Sequence, residues 1–313
     1  MTANESQDLL IGVANHQTWS DFCGWFRSAR KSGFIGKVVL ILYEDTPEST
    51  IRRCISEGIE VVRLKLSGSV NQQRWNDISV YLREQSKVER VITTDVRDVV
   101  FQTSIHEMLD ATLVESELSL FCEGWTYEHS EFNRNEMQQS FPLSYSGMAE
   151  HEVICCGVVV GSKAAMVQLA DDIGERCAKA KTQIGDQATV NILIRERISR
   201  GEQIALFGTE DPYCCHFGVT APENMKNFQE HGMRPAPLFS RAGGLATTPD
   251  GEAYCVFHQY TKVPSIRRQV LRKVGCLGEF YFGKGIEALR RRLPWTRKAI
   301  PYWMRPEITA PRS

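Results

Sequence analysis

Several common signatures are missing from this chain of 313 residues. No G-x-G-x-x-G follows the first apolar run and no G-x-x-x-x-G-K-[ST] occurs anywhere, which counts against dinucleotide oxidoreductases and P-loop enzymes. The chain has 10 cysteines, but none stand in C-x-x-C spacing. The adjacent pairs Cys155–Cys156 and Cys214–Cys215 are poor geometry for zinc. The opening MTANESQDLL is polar and the apolar run behind it is too short for a secretory leader. The thiols therefore read as reduced, buried small hydrophobes in a cytoplasmic protein. No apolar run approaches the roughly 18 residues of a membrane span, and no internal repeat or low-complexity tract is visible. A formal net charge of −1 argues against a nucleic-acid binder by overall balance.

What is present is an uneven chain with enough apolar content, 42%, for a full core. Residues 262–313 hold 13 Lys/Arg against 3 Asp/Glu, an excess of +10, which leaves −11 on residues 1–261. This shift suggests a catalytic domain over 1–262 and a basic helical extension over 263–313. The extension places Ile266, Val270 and Val274 on one helix face and Ile286, Leu289 and Leu293 on another, with Trp295, Tyr302 and Trp303 following among arginines. A basic face with aromatic anchors suits peripheral contact with a membrane's inner face; the same helices equally suit packing back onto the domain.

The first hundred residues alternate between apolar runs and helical patterns. LLIGVAN (9–15), KVVLILYED (37–45), IEVVRLKL (59–66) and RVITTD (90–95) read as buried strands. Between them, 18–33 has Trp19, Phe22, Phe26 and Ala29 on one face. Residues 46–58 have Thr46 as cap with Pro47 behind it, and 72–85 turn Trp75, Ile78, Tyr81 and Leu82 inward. This order predicts an α/β fold with an open, mostly parallel sheet and right-handed crossovers. Ligands collect at the carboxyl ends of such strands. Asn15 and His16, Tyr43 to Asp45, and Asp95 to Asp98 therefore share one rim.

The stretch VITTDVRDVVFQ (91–102) decides the chemistry to look for. A threonine-flanked apolar strand runs directly into Asp95, Arg97 and Asp98. Neighbouring carboxylates repel unless a cation lies between them. Oxygen ligands suit Mg²⁺ or Mn²⁺, which share their shell with substrate phosphates, and Arg97 is placed to hold a diphosphate oxygen. An Arg–Asp surface pair at a strand end is the plainer alternative.

TDVRDVVFQ resembles the Asp-x-Asp-type motif that closes the fourth strand of nucleotide-sugar glycosyltransferases of the GT-A fold. A strict motif would carry an acid at position 97, where this chain has Arg97. Three further segments resemble that superfamily in order: ICCGVVVGSKAAM (154–166), GDQATVNILI (185–194) and FHQYTK (257–262). The resemblance covers residues 9 to about 262 and implies a GT-A, Rossmann-like sheet flanked by helices. It further implies a nucleoside-diphosphate-sugar donor and a glycan, lipid or protein acceptor. It gives Asp95, Asp98 and His258 as ligands of a Mn²⁺ or Mg²⁺ ion. Asn15, Tyr43, Asp45, Arg74, Gly157, Gln187 and Lys262 become donor contacts, with Arg97 or Lys262 stabilising the leaving diphosphate. Asp186 and Glu123 are the candidate bases if the reaction inverts.

Plainer readings stand beside these. Asp186 after Gly185 suits a helix N-terminus; Gly157 and Gly161 suit close strand packing; a lone histidine ending an apolar strand suits a core position; Arg74 suits a solvated helix face. Residues 122–152 are polar and aromatic without a clean period. They read as a long irregular loop, with Glu123, Trp125 and Tyr127 as acceptor contacts. The rival functions are a nucleotidyltransferase and a catalytically silent domain that docks through its basic tail.

Overall fold

The computed structural model describes residues 7–180 and 185–292. Along the chain run β1 (Asp8–Ala14), α1 (Trp19–Lys31), β2 (Lys37–Tyr43), α2 (Glu48–Ser56), β3 (Glu60–Leu64), α3 (Val70–Arg83), β4 (Arg90–Thr94) and β5 (Val99–Phe101). Then come α4 (Ile105–Thr112), β6 (Leu118–Thr126), α5 (Glu131–Ser140), α6 (Tyr145–Met148), β7 (Glu152–Ser162), α7 (Lys163–Cys177), α8 (Asp186–Ser199) and β8 (Ile204–Phe207). The rest comprises β9 (Cys214–His216), α9 (Pro222–His231), β10 (Leu238–Ser240), β11 (Leu245–Thr247), β12 (Val256–His258), α10 (Pro264–Val274) and α11 (Leu277–Arg292).

Seven strands form the main sheet in the order β3-β2-β1-β4-β7-β6-β8. Pairing is parallel from β3 through β4 and between β6 and β8, while β7 runs antiparallel to both β4 and β6. The near-continuous apolar strands are covered on both faces, as buried parallel strands require. Leu10, Leu40 and Ile92 pack under α1, α2 and α4. Leu9, Ile11, Val39 and Val91 pack under α3, α7 and α8. The Trp25 indole donates to Thr94 Oγ1 at 2.8 Å and so pins α1 to the end of β4.

A second sheet of three short strands, β5-β12-β9, is built where the chain leaves β4. Beneath it, α10 and the start of α11 pack on α1: Ile266, Val270, Leu271 and Cys276 share a core with Cys23, Val100, Phe257 and Tyr260. For residues 264–277, then, packing back onto the domain is the observed arrangement. Leu293, Trp295, Tyr302 and Trp303, and the side chains of Ile286 and Leu289, lie outside the described residues.

Two local expectations need correction. Thr46 is buried and does not cap α2; the N-cap is Pro47. Residues 122–152 are not one irregular loop, because they contain the end of β6 together with α5 and α6. The ten cysteines are free and buried, and no described helix is long and apolar enough to cross a membrane.

Candidate functional site

From β1 the chain adds β2 and β3 on one side, and β4 on the other. The carboxyl ends of β1 and β4 therefore flank the place where strand order reverses, which is where open α/β sheets bind ligands. A cleft of about 220 Å³ lies there. Val13 lines it from β1, Asn15 and Gln17 from the turn after β1, Val70, Asn71 and Arg74 from α3, and residues 95–98 from the end of β4. Asn15 Oδ1 and Gln17 Oε1 are hydrogen-bond acceptors there without a partner. A second cavity, about 200 Å³, opens between α1 and α10; its lining has Lys31 and Lys273 but no carboxylate or imidazole.

Strand pairing explains how distant residues reach the cleft. β5 follows Asp98 directly and pairs antiparallel with β12, setting His258 opposite Val99. The Gln259 amide donates to the Asp98 carbonyl at 2.8 Å and closes this junction. One ligand atom each from Asp95, Asp98 and His258 falls within 4.8 Å of the others. His258 Nε2 is 3.5 Å from Asp95 Oδ2 and 3.7 Å from Asp98 Oδ1. These separations are too long for good hydrogen bonds. They approach the roughly 3.0–3.5 Å between neighbouring ligands that each hold one ion at about 2.1 Å. Two carboxylates and an imidazole nitrogen thus fit a divalent cation in both chemistry and spacing.

Gly157 on β7 forms the floor. Its carbonyl accepts from the Asp95 amide at 2.8 Å. A Cβ there would stand 2.6 Å from His258 Cε1 and 2.8 Å from Asp95 Oδ2, so only glycine lets strand and acids approach this closely.

The electrostatics divide the two acids. Burial pushes the Asp95 carboxyl up, but the charges of Arg74 and His258 outweigh it and hold it well below the usual range. For Asp98, burial is the largest influence and, with the charge of Asp95, raises it; His258, Arg97 and Lys262 pull back only in part. Burial lowers His258, yet the nearby carboxylates of Asp95 and Asp98 raise it overall.

Arg74 is a mostly buried clamp at the cleft wall. One terminal nitrogen donates to Asp95 Oδ1 and the other to Asp186 Oδ2, each at 2.7 Å. The second nitrogen also faces Cys156 Sγ at 3.3 Å. This corrects the expected role of Arg74: it lines the cleft, but its two ends are taken up by acids of the protein. Asp95 is thereby split, with Oδ1 on Arg74 and Oδ2 turned to His258. Asp186, in the first turn of α8, joins the site through that clamp, and its Oδ1 accepts from the Gln187 amide at 3.1 Å.

Glu123 belongs to a separate buried network. Its Oε2 accepts from the Trp125 indole at 3.0 Å and from Asn133 Nδ2 at 3.1 Å, and its Oε1 accepts from Gln187 Nε2 at 3.1 Å. Trp125 and Tyr127 are themselves buried. The expectation of acceptor contacts at Glu123, Trp125 and Tyr127 is therefore corrected, because all three are buried among strand β6 and helices α5 and α8. Gln187 is held in the same network, away from the cleft lining.

Other donor-contact expectations divide. Asn15 and Arg97 line the cleft. Tyr43 does not: its hydroxyl donates to Asp77 Oδ2 at 2.8 Å, because the last residue of β2 points toward α3. Asp45 pairs with His16 Nδ1 at 2.5 Å and likewise is outside the cleft lining. Lys262 is exposed, close enough for its charge to act on Asp98. Trp75 is core, as its spacing predicts.

One residue that the motifs did not single out stands at the site. His216 ends β9, which pairs in parallel with β12 so that His216 and His258 are register partners. The clue was available in two similar strand ends, YCCHF and CVFHQ. Compared with protein-family models and with curated proteins, the chain finds no match in either.

Proposed function

We propose that this chain is a glycosyltransferase of the GT-A type, moving a sugar from a nucleoside-diphosphate sugar to a glycan, lipid or protein acceptor. One observation carries the reading: Asp95, Asp98 and His258 converge with cation-ligand spacing at the strand-order reversal of an open sheet. The α/β architecture, a mostly parallel sheet with one reversed strand, is compatible with it.

In this reading Asp95 Oδ2, Asp98 Oδ1 and His258 Nε2 hold Mn²⁺ or Mg²⁺. Such an ion supplies positive charge for the departing nucleoside diphosphate. The first turn of α3 presents Val70 and Asn71 to the cleft, and the positive end of that helix favours a phosphate. Arg97 adds a cation at the open side. The unpartnered Asn15 and Gln17 oxygens suit donors from a ribose or base. Every carboxylate oxygen of Asp186 and Glu123 already accepts a hydrogen bond, so the reading rests on leaving-group stabilisation rather than on a dedicated protein base.

The test is a thermal-shift panel of nucleoside diphosphates with and without Mn²⁺. Selective stabilisation by one nucleotide that needs Mn²⁺ and is lost in Asp95→Ala supports the proposal. Equal shifts with every nucleotide, unaffected by metal, would sink it. Product analysis separates the nucleotidyltransferase alternative: released nucleoside diphosphate marks sugar transfer, whereas released pyrophosphate marks nucleotidyl transfer.

Membrane contact is a secondary part of the proposal, favoured by Tyr281 and Phe282, which α11 exposes at 45% and 66%. Phe282→Ser is expected to reduce sedimentation with anionic phosphatidylserine vesicles and to leave the thermal shift unchanged. Undiminished sedimentation would remove this part.

A further inference from the structure

His216 and His258 meet nitrogen to nitrogen. Their Nδ1 atoms are 2.9 Å apart, and the ring centres are 5.2 Å apart with planes at 84°. A ring-centre distance that long for nitrogens that close means that the two nitrogens point head-on. This is the geometry of one linear N–H···N bond, in which one ring donates and the other accepts.

The direction of that bond follows from the cation reading. A histidine that ligates through Nε2 carries its lone pair there, so its proton stands on Nδ1. His258 Nε2 is the nitrogen that faces Asp95 Oδ2 and Asp98 Oδ1. The bond between the rings then runs from His258 Nδ1–H to His216 Nδ1, and the proton of a neutral His216 stands on Nε2, where Cys214 Sγ lies at 3.9 Å.

We propose that His216 is a positioning residue that fixes the tautomer and ring orientation of His258, so that its Nε2 lone pair is presented to the cation held with Asp95 and Asp98. This rests on the cation reading given above. Metal-bound histidines commonly donate their other ring nitrogen to a fixed acceptor, which sets tautomer and direction. Here the acceptor is a second histidine delivered by the neighbouring strand in register.

The backbone around the pair is held as well. Gln259, directly after His258, adopts φ 62° and accepts from the Gly218 amide through its side chain at 3.0 Å. A Cβ at Gly218 would stand 2.0 Å from that side-chain oxygen. The ends of β9 and β12 are therefore tied together just beyond the two histidines.

Cys155 offers a competing arrangement. Its Sγ is 3.7 Å from His258 Nδ1, and one thiophilic ion shared by Cys155, His216 and His258 would also bring these atoms together. Such an ion needs the two nitrogens to converge on a point off the line between them. Head-on at 2.9 Å they leave room for a proton only.

The unmodified protein gives the first test. Long-range ¹H–¹⁵N spectra of ¹⁵N-histidine-labelled protein saturated with diamagnetic Mg²⁺ should report His258 with its proton on Nδ1 and His216 with its proton on Nε2. His258 protonated on Nε2 alone would overturn the inference, as would stoichiometric zinc in the protein as purified. The second test is a Mn²⁺ titration followed by electron paramagnetic resonance. His216→Leu should weaken Mn²⁺ by about 10–100-fold. His216→Asn, whose side-chain oxygen replaces the Nδ1 acceptor, should recover most of that loss. Wild-type Mn²⁺ affinity in a folded His216→Leu would overturn the inference while leaving the cation reading intact. No Mn²⁺ binding by the unmodified protein would remove both, even with the tautomers as stated.

Discussion

Asp95 and Asp98 open onto a cleft and face an imidazole across gaps longer than a hydrogen bond, whereas Glu123 is enclosed and accepts from three donors. Both groups are acids on strands of one sheet or just beyond its edge, and both were candidates for chemistry. The contrast lies in satisfaction. Buried polar groups that stabilise a fold find their partners within it. Groups kept for an outside partner keep an unfilled position. By that measure the Asp95–Asp98–His258 cluster fits the working end proposed for it, and the Glu123–Asn133–Gln187 network fits a scaffold.

Arg74 joins the working end to Asp186, so removing it gives the largest expected effect. Arg74→Leu leaves the buried Asp186 and the one-third-exposed Asp95 uncompensated. It should cost about 3–5 kcal/mol of stability, read by chemical denaturation. A loss below about 1 kcal/mol would mean that the clamp is a surface pair in solution.

The sharpest comparison sets Asp95→Ala against Glu123→Gln. The first should lower sugar-nucleotide turnover by about 10²–10³-fold, the scale of losing one preorganised electrostatic contact. The second should change it only a few-fold, because the amide keeps the shape of the network. Equal losses in the two variants would erase the distinction drawn here.

The cluster should also respond to acid. Asp98 and His258 both bind protons more tightly than their free counterparts, so protons compete with a cation there. Mn²⁺ affinity should therefore fall as pH is lowered from about 8 to about 5, as titration at each pH would show. A flat profile would place the cation elsewhere.

Glu136 provides the smallest effect and probes the scaffold. Burial and then the Asp186 charge raise its carboxyl to about 8. A raised acid keeps its full stability contribution below its unfolded value near 4.5 and loses it as pH rises through the folded value. Glu136→Gln should accordingly raise the melting temperature at about pH 9 and leave it nearly unchanged at about pH 4. The opposite order would mean that this carboxylate is paired rather than merely buried.

How far the sequence reached depended on the type of signal. β1 to β4 were legible because long apolar runs bounded by capping and stop residues leave few alternatives, and their carboxyl rim followed from topology. The proposed ligand set, Asp95, Asp98 and His258, was legible only through the order of four short motifs. The three-residue strand β5 was hidden inside one of those motifs, and with it the pairing that delivers His258. Helix α5 was missed because EFNRNEMQQS has too few apolar residues to display a period. Tyr43 was assigned to the rim because it ends a strand, but side-chain direction at a strand end depends on neighbours that a single sequence does not reveal. His216 escaped because its meaning lies in a partner 42 residues away.

The three-residue ladder between β5 and β12 has a consequence for which changes this protein tolerates. On β12 the side chains alternate, with Phe257 in the core beside Tyr260 and Leu271, and His258 on the opposite side. Inserting or deleting one residue between Asp98 and Phe101 would turn over the side chains of β5 and shift the acids before it relative to His258, which β9 holds in place. The seven-stranded sheet would remain folded while the chemistry vanished. Length variation should therefore be tolerated in the outer loops of this molecule and forbidden in those few residues.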